Sequence, residues 1–517
     1  MRALFFVLCC SFAIPIGAAT SFVFPNAQGP YGVGLKVVDQ YDETRSYQGA
    51  YDIVTGQATV DKEKHARPIQ TLGWYPAKKS GKAMTYGDYL VLAASQDSFD
   101  RSPAEISRIA AATTRDSIGY QTSDQTTLLN GIKAATMHAI RDATPIDGPF
   151  PVLVYAPSDG GSAFENADLC EYLASQGYLV IASPTQGAHG HYMTDDLEGA
   201  EAEAADIRFL IGYANSLAQA DTTRLAVIGY SWGGLANALA AAKDNRIKVL
   251  VDLDGSIRYF PDVVKSAGYL TPRTLTVPLL FLANKEEPID SGKDVLPKSL
   301  INRLRYSDVY KVAMHPLSHG DFSSDTLRFF TSDDPTELPI AALSQGYGWM
   351  ARYVLEFLNA ELKDDLAGRT FLMGSPAANG VPHNVLSVQV QPHKATKVTL
   401  EIFAARLNQQ HFTHATELYA ELRKTDPLFK LSKEILESWG SALLDQDQCA
   451  AAVEVLSLET SLFPKDADAY AELAYAQLAD NHRSMAIKNY RRAVRLTPGS
   501  ADLRRLLKKL EAVAPPS

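Results

Sequence analysis

The amino-acid sequence predicts a doubly wound, mostly parallel α/β sheet followed by an all-α region of helical repeats. Two observations carry this reading. From Phe150 onward, short continuous apolar runs of strand length alternate with helical stretches, the pattern of strands buried on both faces. After Gln391 the strands stop, and one interval separates Pro464 from Pro498, Ala452 from Ala486 and Gly440 from Ala474. That interval is the length of a tetratricopeptide unit, about 34 residues.

The bulk numbers leave room for both parts. Of 517 residues, 46% are hydrophobic and 21% charged, enough to build more than one core and too apolar for a disordered chain. A formal charge of −10 argues against a nucleic-acid surface, and no run of basic residues suggests a membrane patch. A small neutral or apolar ligand fits this balance better.

In chain order, Met1-Arg2 is a short basic start, Ala3 to Ile16 is apolar, and Gly17-Ala18-Ala19 offers small residues to a signal peptidase. Residues 1–19 therefore read as a cleaved export signal, which puts the mature protein in a periplasm-like space or outside the cell. No later stretch has transmembrane length. Removing the signal leaves Cys170 and Cys449 of the four cysteines, in separate regions, so no disulfide framework is expected. Cys170, in a helical stretch, reads as a small core residue. No His/Cys/Asp cluster has metal-ligand spacing, so neither a structural nor a catalytic metal is expected.

Residues 20–390 form the sheet region. Gly34 to Asp39 and Pro68 to Tyr75 read as paired antiparallel strands at its edge. Residues 82–147, with helical patterns at Ser102 to Thr114 and Thr127 to Arg141, read as a helical insertion over the core that could serve as a lid. The buried strands follow at Phe150 to Ala156, Leu179 to Ala182, Leu225 to Ile228, Val249 to Leu253, Pro278 to Leu282 and Val309 to Met314. An amphipathic helix at Gly346 to Leu362 closes the sheet. Residues 394–517 then read as helices carrying the small and large positions of tetratricopeptide-like repeats: Tyr470, Leu473, Ala474, Ala486, Tyr490, Ala493 and Pro498 in the last unit, and Ala415, Tyr419 and Pro427 in a weaker earlier one. Such repeats suit a protein partner.

The chemistry centres on Gly229-Tyr230-Ser231-Trp232-Gly233, which joins the run Leu225 to Ile228 to a small-residue helix. A tight strand-to-helix turn leaves no room beside its apex, so the positions two residues either side of Ser231 must be small. Ser231 is thus a candidate nucleophile, and the helical N–H groups beginning at Trp232 face whatever it attacks. A serine hydroxyl needs a histidine base oriented by an acid. His319, in the loop after the strand ending at Met314, is the chosen base; His315, at the strand terminus, reads as a local packing or hydrogen-bonding residue. The acid is open at this point between Asp254, after the strand Val249 to Leu253, and Glu286, Glu287 or Asp290, after the strand ending at Leu282. In the glycine-rich loop Asp159-Gly160-Gly161, Gly160 is the candidate for the second oxyanion donor beside the Trp232 N–H.

These residues resemble the platelet-activating-factor acetylhydrolase and dienelactone-hydrolase-like branch of the α/β-hydrolases, over roughly Gly29 to Leu362. The resemblance rests on Gly29-Pro30-Tyr31, Trp74-Tyr75-Pro76, Phe150 to Val154, Tyr172 to Tyr178, the Gly229 to Gly234 elbow, Leu253-Asp254 and Ser318-His319. It implies an α/β-hydrolase fold and cleavage of short acyl esters with no metal or organic cofactor. It also implies that the acid belongs to a Leu-Asp pair, which favours Asp254 over Glu287. Dienelactone hydrolases proper use a cysteine nucleophile, so Ser231 departs from them. The expectation is a secreted serine ester hydrolase working through an acyl-enzyme. The alternatives are a peptidase or amidase on the same fold, or a non-catalytic interaction protein that uses its repeats.

Overall fold

The computed structural model describes residues 21–47, 51–52, 57–58, 65–116, 125–284, 299–330 and 337–512. The export segment 1–19 and the alternative acid Glu287, with Glu286 and Asp290, lie outside the described residues. The chain divides into two compact units, Met1–His393 and Lys394–Ser517.

The first unit is built on ten strands: β1 (Gly32–Tyr47), β2 (His65–Ala77), β3 (Ala139–Arg141), β4 (Phe150–Ala156), β5 (Leu179–Ala182), β6 (Ala220–Tyr230), β7 (Val249–Leu253), β8 (Leu279–Asn284), β9 (Val309–Met314) and β10 (Leu386–Gln391). Their order across the sheet is β10-β9-β8-β7-β6-β4-β5-β2-β1-β3. The six strands β4 to β9 run parallel to one another. β10 pairs antiparallel with β9 at one edge, and β2 pairs antiparallel with both β5 and β1.

The continuous apolar runs have a direct consequence. Side chains alternate across a strand, so Leu153 and Tyr155 enter one core cluster while Val152 and Val154 enter the other. Helices Ala167–Ser175 and Ile340–Leu362 cover the first face, and Leu197–Ala214 and Trp232–Lys243 the second. Each fully buried Leu or Val side chain contributes roughly 1.5–3 kcal/mol, so the sheet is held from both sides. Helices on both faces make the six parallel strands a doubly wound sheet whose carboxyl ends meet at one rim.

One expectation needs correction. The segment 82–147 is not only an overlying insertion. It supplies β3, which runs parallel beside β1, and its Tyr86 and Tyr89 are fully buried in the main core. Trp74 on β2 donates from Nε1 to the Tyr89 hydroxyl at 2.8 Å, which donates to Glu171 at 2.6 Å. Tyrosines at helical spacing with polar ends satisfied inside a core are what tie this stretch down. Beyond β9, β10 adds an antiparallel edge strand; its alternation of exposed and covered residues makes it less apolar than its neighbours.

The core also holds carboxyls at a cost. Burial pushes both Glu165 and Glu171 up to about 7 and Asp325 up to about 6. An acid whose folded value lies above its ordinary one contributes stability that is complete below about pH 4.5 and is lost as pH rises through its folded value. Urea unfolding of the wild-type protein is therefore expected to show this component of stability falling between pH 5 and 7. Glu171→Gln is expected to remove about 1 kcal/mol per pH unit of that fall. Identical pH slopes for the two proteins would show that Glu171 does not titrate in this window.

The second unit consists of helices Leu400–Gln409, Ala415–Thr425, Lys433–Asp445, Cys449–Leu462, Ala467–Ala479, Arg483–Leu496 and Ala501–Ala512. Ala452, Ala474, Ala486 and Ala493 are fully buried, and a Cβ on Gly440 would stand 2.6 Å from Leu456 Cδ2. The small residues that recur in the sequence are thus buried where helices pack. Among the described residues of the whole chain, no helix is long and apolar enough to cross a membrane.

Candidate active site

β6 delivers Tyr230 to the rim and the helix Trp232–Lys243 starts at once, so Ser231 must reverse the chain by itself. It does so at φ 52° and ψ −115°, a region that side-chain-bearing residues rarely occupy. Its amide donates to the Leu253 carbonyl at 3.1 Å, and its carbonyl accepts from Ser256 N at 2.7 Å and Gly234 N at 3.0 Å. These three bonds hold the strained residue between β7 and the helix.

The flanking glycines follow from the same crowding. A Cβ on Gly229 would lie 2.2 Å from the Gly233 carbonyl oxygen, and one on Gly233 would lie 2.2 Å from the Ala156 oxygen and 2.6 Å from the Pro157 oxygen. Both obstacles are backbone and cannot rotate away. Gly233→Ala is expected to cost several degrees of Tm in thermal unfolding, or soluble protein altogether. Gly160 differs: it needs its positive φ of 63°, but nothing lies within 4 Å of a Cβ there. Gly160→Ala is expected to cost only about 1–2 kcal/mol, the penalty of a left-handed backbone. If the two variants unfold at the same temperature, the backbone contact at Gly233 is not limiting.

Three of the residues singled out in the sequence come together. Ser231 Oγ lies 2.9 Å from His319 Nε2, and His319 Nδ1 lies 2.7 Å from Asp254 Oδ2. His319 sits in the loop after β9, pinned by the Tyr230 hydroxyl, which donates to its carbonyl at 3.0 Å. His315 is not part of this group; its amide donates to Val385 O at 2.9 Å beside β10.

Asp252 and Asp254 have opposite fates although strand alternation would send both to one side. β7 ends at Leu253, and Asp254 takes φ 48°, which turns it out of the strand. Its carboxylate then faces the imidazole. Asp252 stays under the elbow, where its Oδ1 accepts from Gly255 N at 2.5 Å and burial pushes its carboxyl up to about 8.

Two partners of Asp254 are not legible in the sequence. Arg258 donates to Asp254 Oδ1 at 2.6 Å from the short helix Ser256–Arg258, and its side chain is as buried as the aspartate's. Asn284, at the end of β8, donates to Oδ1 through its amide at 3.1 Å and to Oδ2 through Nδ2 at 3.0 Å. The strand end that precedes the rival acids in the sequence presents Asn284, an amide donor to Asp254. An asparagine at a strand terminus and an arginine four residues past an aspartate are the signals that could have found them.

The glycine-rich loop after β4 lies against the elbow through the Ala156 and Pro157 carbonyls that crowd Gly233. Glu165 anchors it. Its Oε1 accepts from Ser158 N at 2.7 Å and from the Tyr155 hydroxyl at 2.8 Å, and its Oε2 accepts from Ser158 Oγ at 2.6 Å. Asn166, next in the chain, donates to Phe322 O at 3.0 Å and accepts from Ser324 N at 2.9 Å. The glycine loop and the histidine loop are therefore braced by adjacent residues at the start of one helix. Cys170 on that helix is buried, with its thiol pushed well up by burial, and is no candidate nucleophile.

The dienelactone hydrolase family profile matches residues 137–325, a stretch that contains Ser231, Asp254 and His319. A provisionally named carboxymethylenebutenolidase of Methylorubrum extorquens is 23% identical over 176 residues, which cover 31% of this chain and 56% of that protein. The chain thus spans about half the length of the curated relative that it matches. Among solved structures, a ferulic acid esterase from Streptomyces cinnamoneus aligns with a TM-score of 0.49 at 18% identity, covering 72% of this chain and all of that one.

Proposed function

We propose that the chain is a serine ester hydrolase of acyl esters, acting through a Ser231-His319-Asp254 triad and an acyl-enzyme. The observation that carries this reading is the unbroken line of hydrogen bonds from Ser231 Oγ through the imidazole to a buried, doubly supported aspartate. In the reaction, His319 Nε2 takes the Ser231 proton as Oγ attacks the ester carbonyl, then returns it to the departing alcohol. Asp254 holds the Nδ1–H tautomer and balances the imidazolium. The N–H groups of Trp232 and Gly160 stabilise the oxyanion, and water repeats the sequence on the acyl-enzyme. The match of residues 137–325 to the dienelactone hydrolase family supports the same class of chemistry, since a lactone is a cyclic ester.

In this reading the protein is exported, with residues 1–19 removed, and the helices after Lys394 are tetratricopeptide-like repeats that engage a protein partner. Purified protein assayed on short-chain and long-chain nitrophenyl esters and on aminoacyl amides tests the class. Turnover is expected on short acyl esters; turnover confined to amides would replace the ester reading with a peptidase, and none on any substrate would refute it.

A further inference from the structure

Three glutamates meet inside the helical unit, each from a different helix. Glu437 lies on Lys433–Asp445, Glu459 on Cys449–Leu462 and Glu472 on Ala467–Ala479. One side-chain oxygen from each falls within 4.8 Å of the other two. No spacing in the sequence announces them, because the three helices bring them together only by packing.

Glu459 makes this more than an acidic patch. Its side chain is fully buried, and neither carboxylate oxygen has a hydrogen-bond partner among the described residues. Glu472 Oε2 is in the same condition. A buried carboxylate without donors forfeits several kcal/mol of solvation, and here two further carboxylates face it. The nearest cation, Lys433, serves the rim: its Nζ is 3.0 Å from Glu437 Oε1 and 2.8 Å from Asp466 Oδ2, and Asp466 also caps the helix Ala467–Ala479. Lys433 offsets the repulsion only in part: burial, with Glu472 and Glu437 beside it, pushes Glu459 up to about 8.

We propose that Glu437, Glu459 and Glu472 form the protein side of a site for one calcium-sized divalent cation. The donors are all oxygen, as hard cations require. Three carboxylates carried by three helices suit Ca²⁺, which takes many oxygen ligands in flexible geometry, better than Mg²⁺, which demands a near-ideal octahedron and keeps several of its waters. The partly exposed Glu437 and Glu472 leave room for water to complete the coordination. By joining three helices, a bound ion would brace this unit; the chemistry at Ser231 does not involve it.

Full-length protein, stripped with a chelator and desalted, is titrated with CaCl₂ and with MgCl₂ by calorimetry, and its thermal unfolding is followed with each. One Ca²⁺ per chain is expected to bind, with a dissociation constant of roughly 10⁻⁵–10⁻³ M. Mg²⁺ is expected to bind more weakly. Ca²⁺ is also expected to raise the Tm. Glu459→Gln is expected to abolish both effects while leaving ester turnover intact. Glu472→Gln, at a half-buried position, should weaken binding by about tenfold or more and serves if the first variant does not fold. Absence of Ca²⁺-dependent heat and Tm shift up to about 10 mM would overturn the site. So would binding that persists unchanged in the variants, since the ion would then sit elsewhere.

Discussion

Ser231→Ala is expected to lower kcat/KM on a short-chain nitrophenyl ester by about 10⁴-fold or more, while the protein unfolds at an unchanged or higher temperature. The two halves of this expectation share one cause. Ser231 occupies φ 52° because three backbone hydrogen bonds and the crowding at Gly229 and Gly233 hold it there, not because its hydroxyl stabilises the turn. Alanine has the same backbone preferences and fits the same turn. Removing Oγ takes away the hydroxyl 2.9 Å from His319 Nε2 that would form the ester, so the acyl-enzyme cannot form. Residual turnover would reflect binding and the oxyanion donors alone. Rates within tenfold of wild type would remove Ser231 from the mechanism and with it the ester-hydrolase reading.

Asp254→Asn is expected to lower kcat by about 10⁴-fold, since an amide at this position favours the wrong imidazole tautomer. Unlike the serine variant, it should also destabilise the fold. Arg258 is buried against Asp254, with a side-chain exposure of 2% beside the aspartate's 0%, and stacks its guanidinium over the Tyr259 ring at 4.6 Å. Neutralising one partner of such a pair leaves a buried charge behind, a loss of about 3–5 kcal/mol when the pair is broken outright. A lower urea midpoint together with the lost activity would support this pairing. Glu287→Gln, tested in parallel, is expected to retain wild-type turnover. If Glu287→Gln is the inactive variant and Asp254→Asn is active, the acid has been assigned to the wrong strand end.

The contrast between Asp254 and its partners marks where sequence reasoning stops. A nucleophile elbow is a local object: strand, tight turn and helix occupy neighbouring residues, and the glycines required by its crowding are written beside the serine. The histidine was legible because a loop after a parallel strand opens at the same rim as the elbow. The acid was ambiguous, since two strand ends offered carboxylates. In space, the turn at Asp254 brings its carboxylate to His319 and the amide of Asn284 supports it, and both depend on where β7 ends and how β8 lies beside it.

Elements were read with the same unevenness. Strands β4 to β8 declare themselves through continuous apolar runs, because burial on both faces removes any need for polar alternation. β3 is three residues long and β10 is a half-exposed edge strand, so neither carries that signature. The stretch 82–147 looked peripheral because its helices are polar on one side, yet Tyr86 and Tyr89 enter the core and meet Asp325 and Glu171 far along the chain.

By itself, then, the sequence determined the doubly wound sheet, the strand-to-helix elbow at Ser231, the histidine loop and the helical character of the C-terminal part, because periodicity and crowding act between residues close in the chain. Only the tertiary structure decided that the Asp254 carboxylate faces His319, that Arg258 and Asn284 support it, that Glu165 anchors the glycine loop, and that three glutamates from separate helices meet. Those are contacts between charges and dipoles brought together by packing, and their energies depend on burial and distance, neither of which is written in the order of residues.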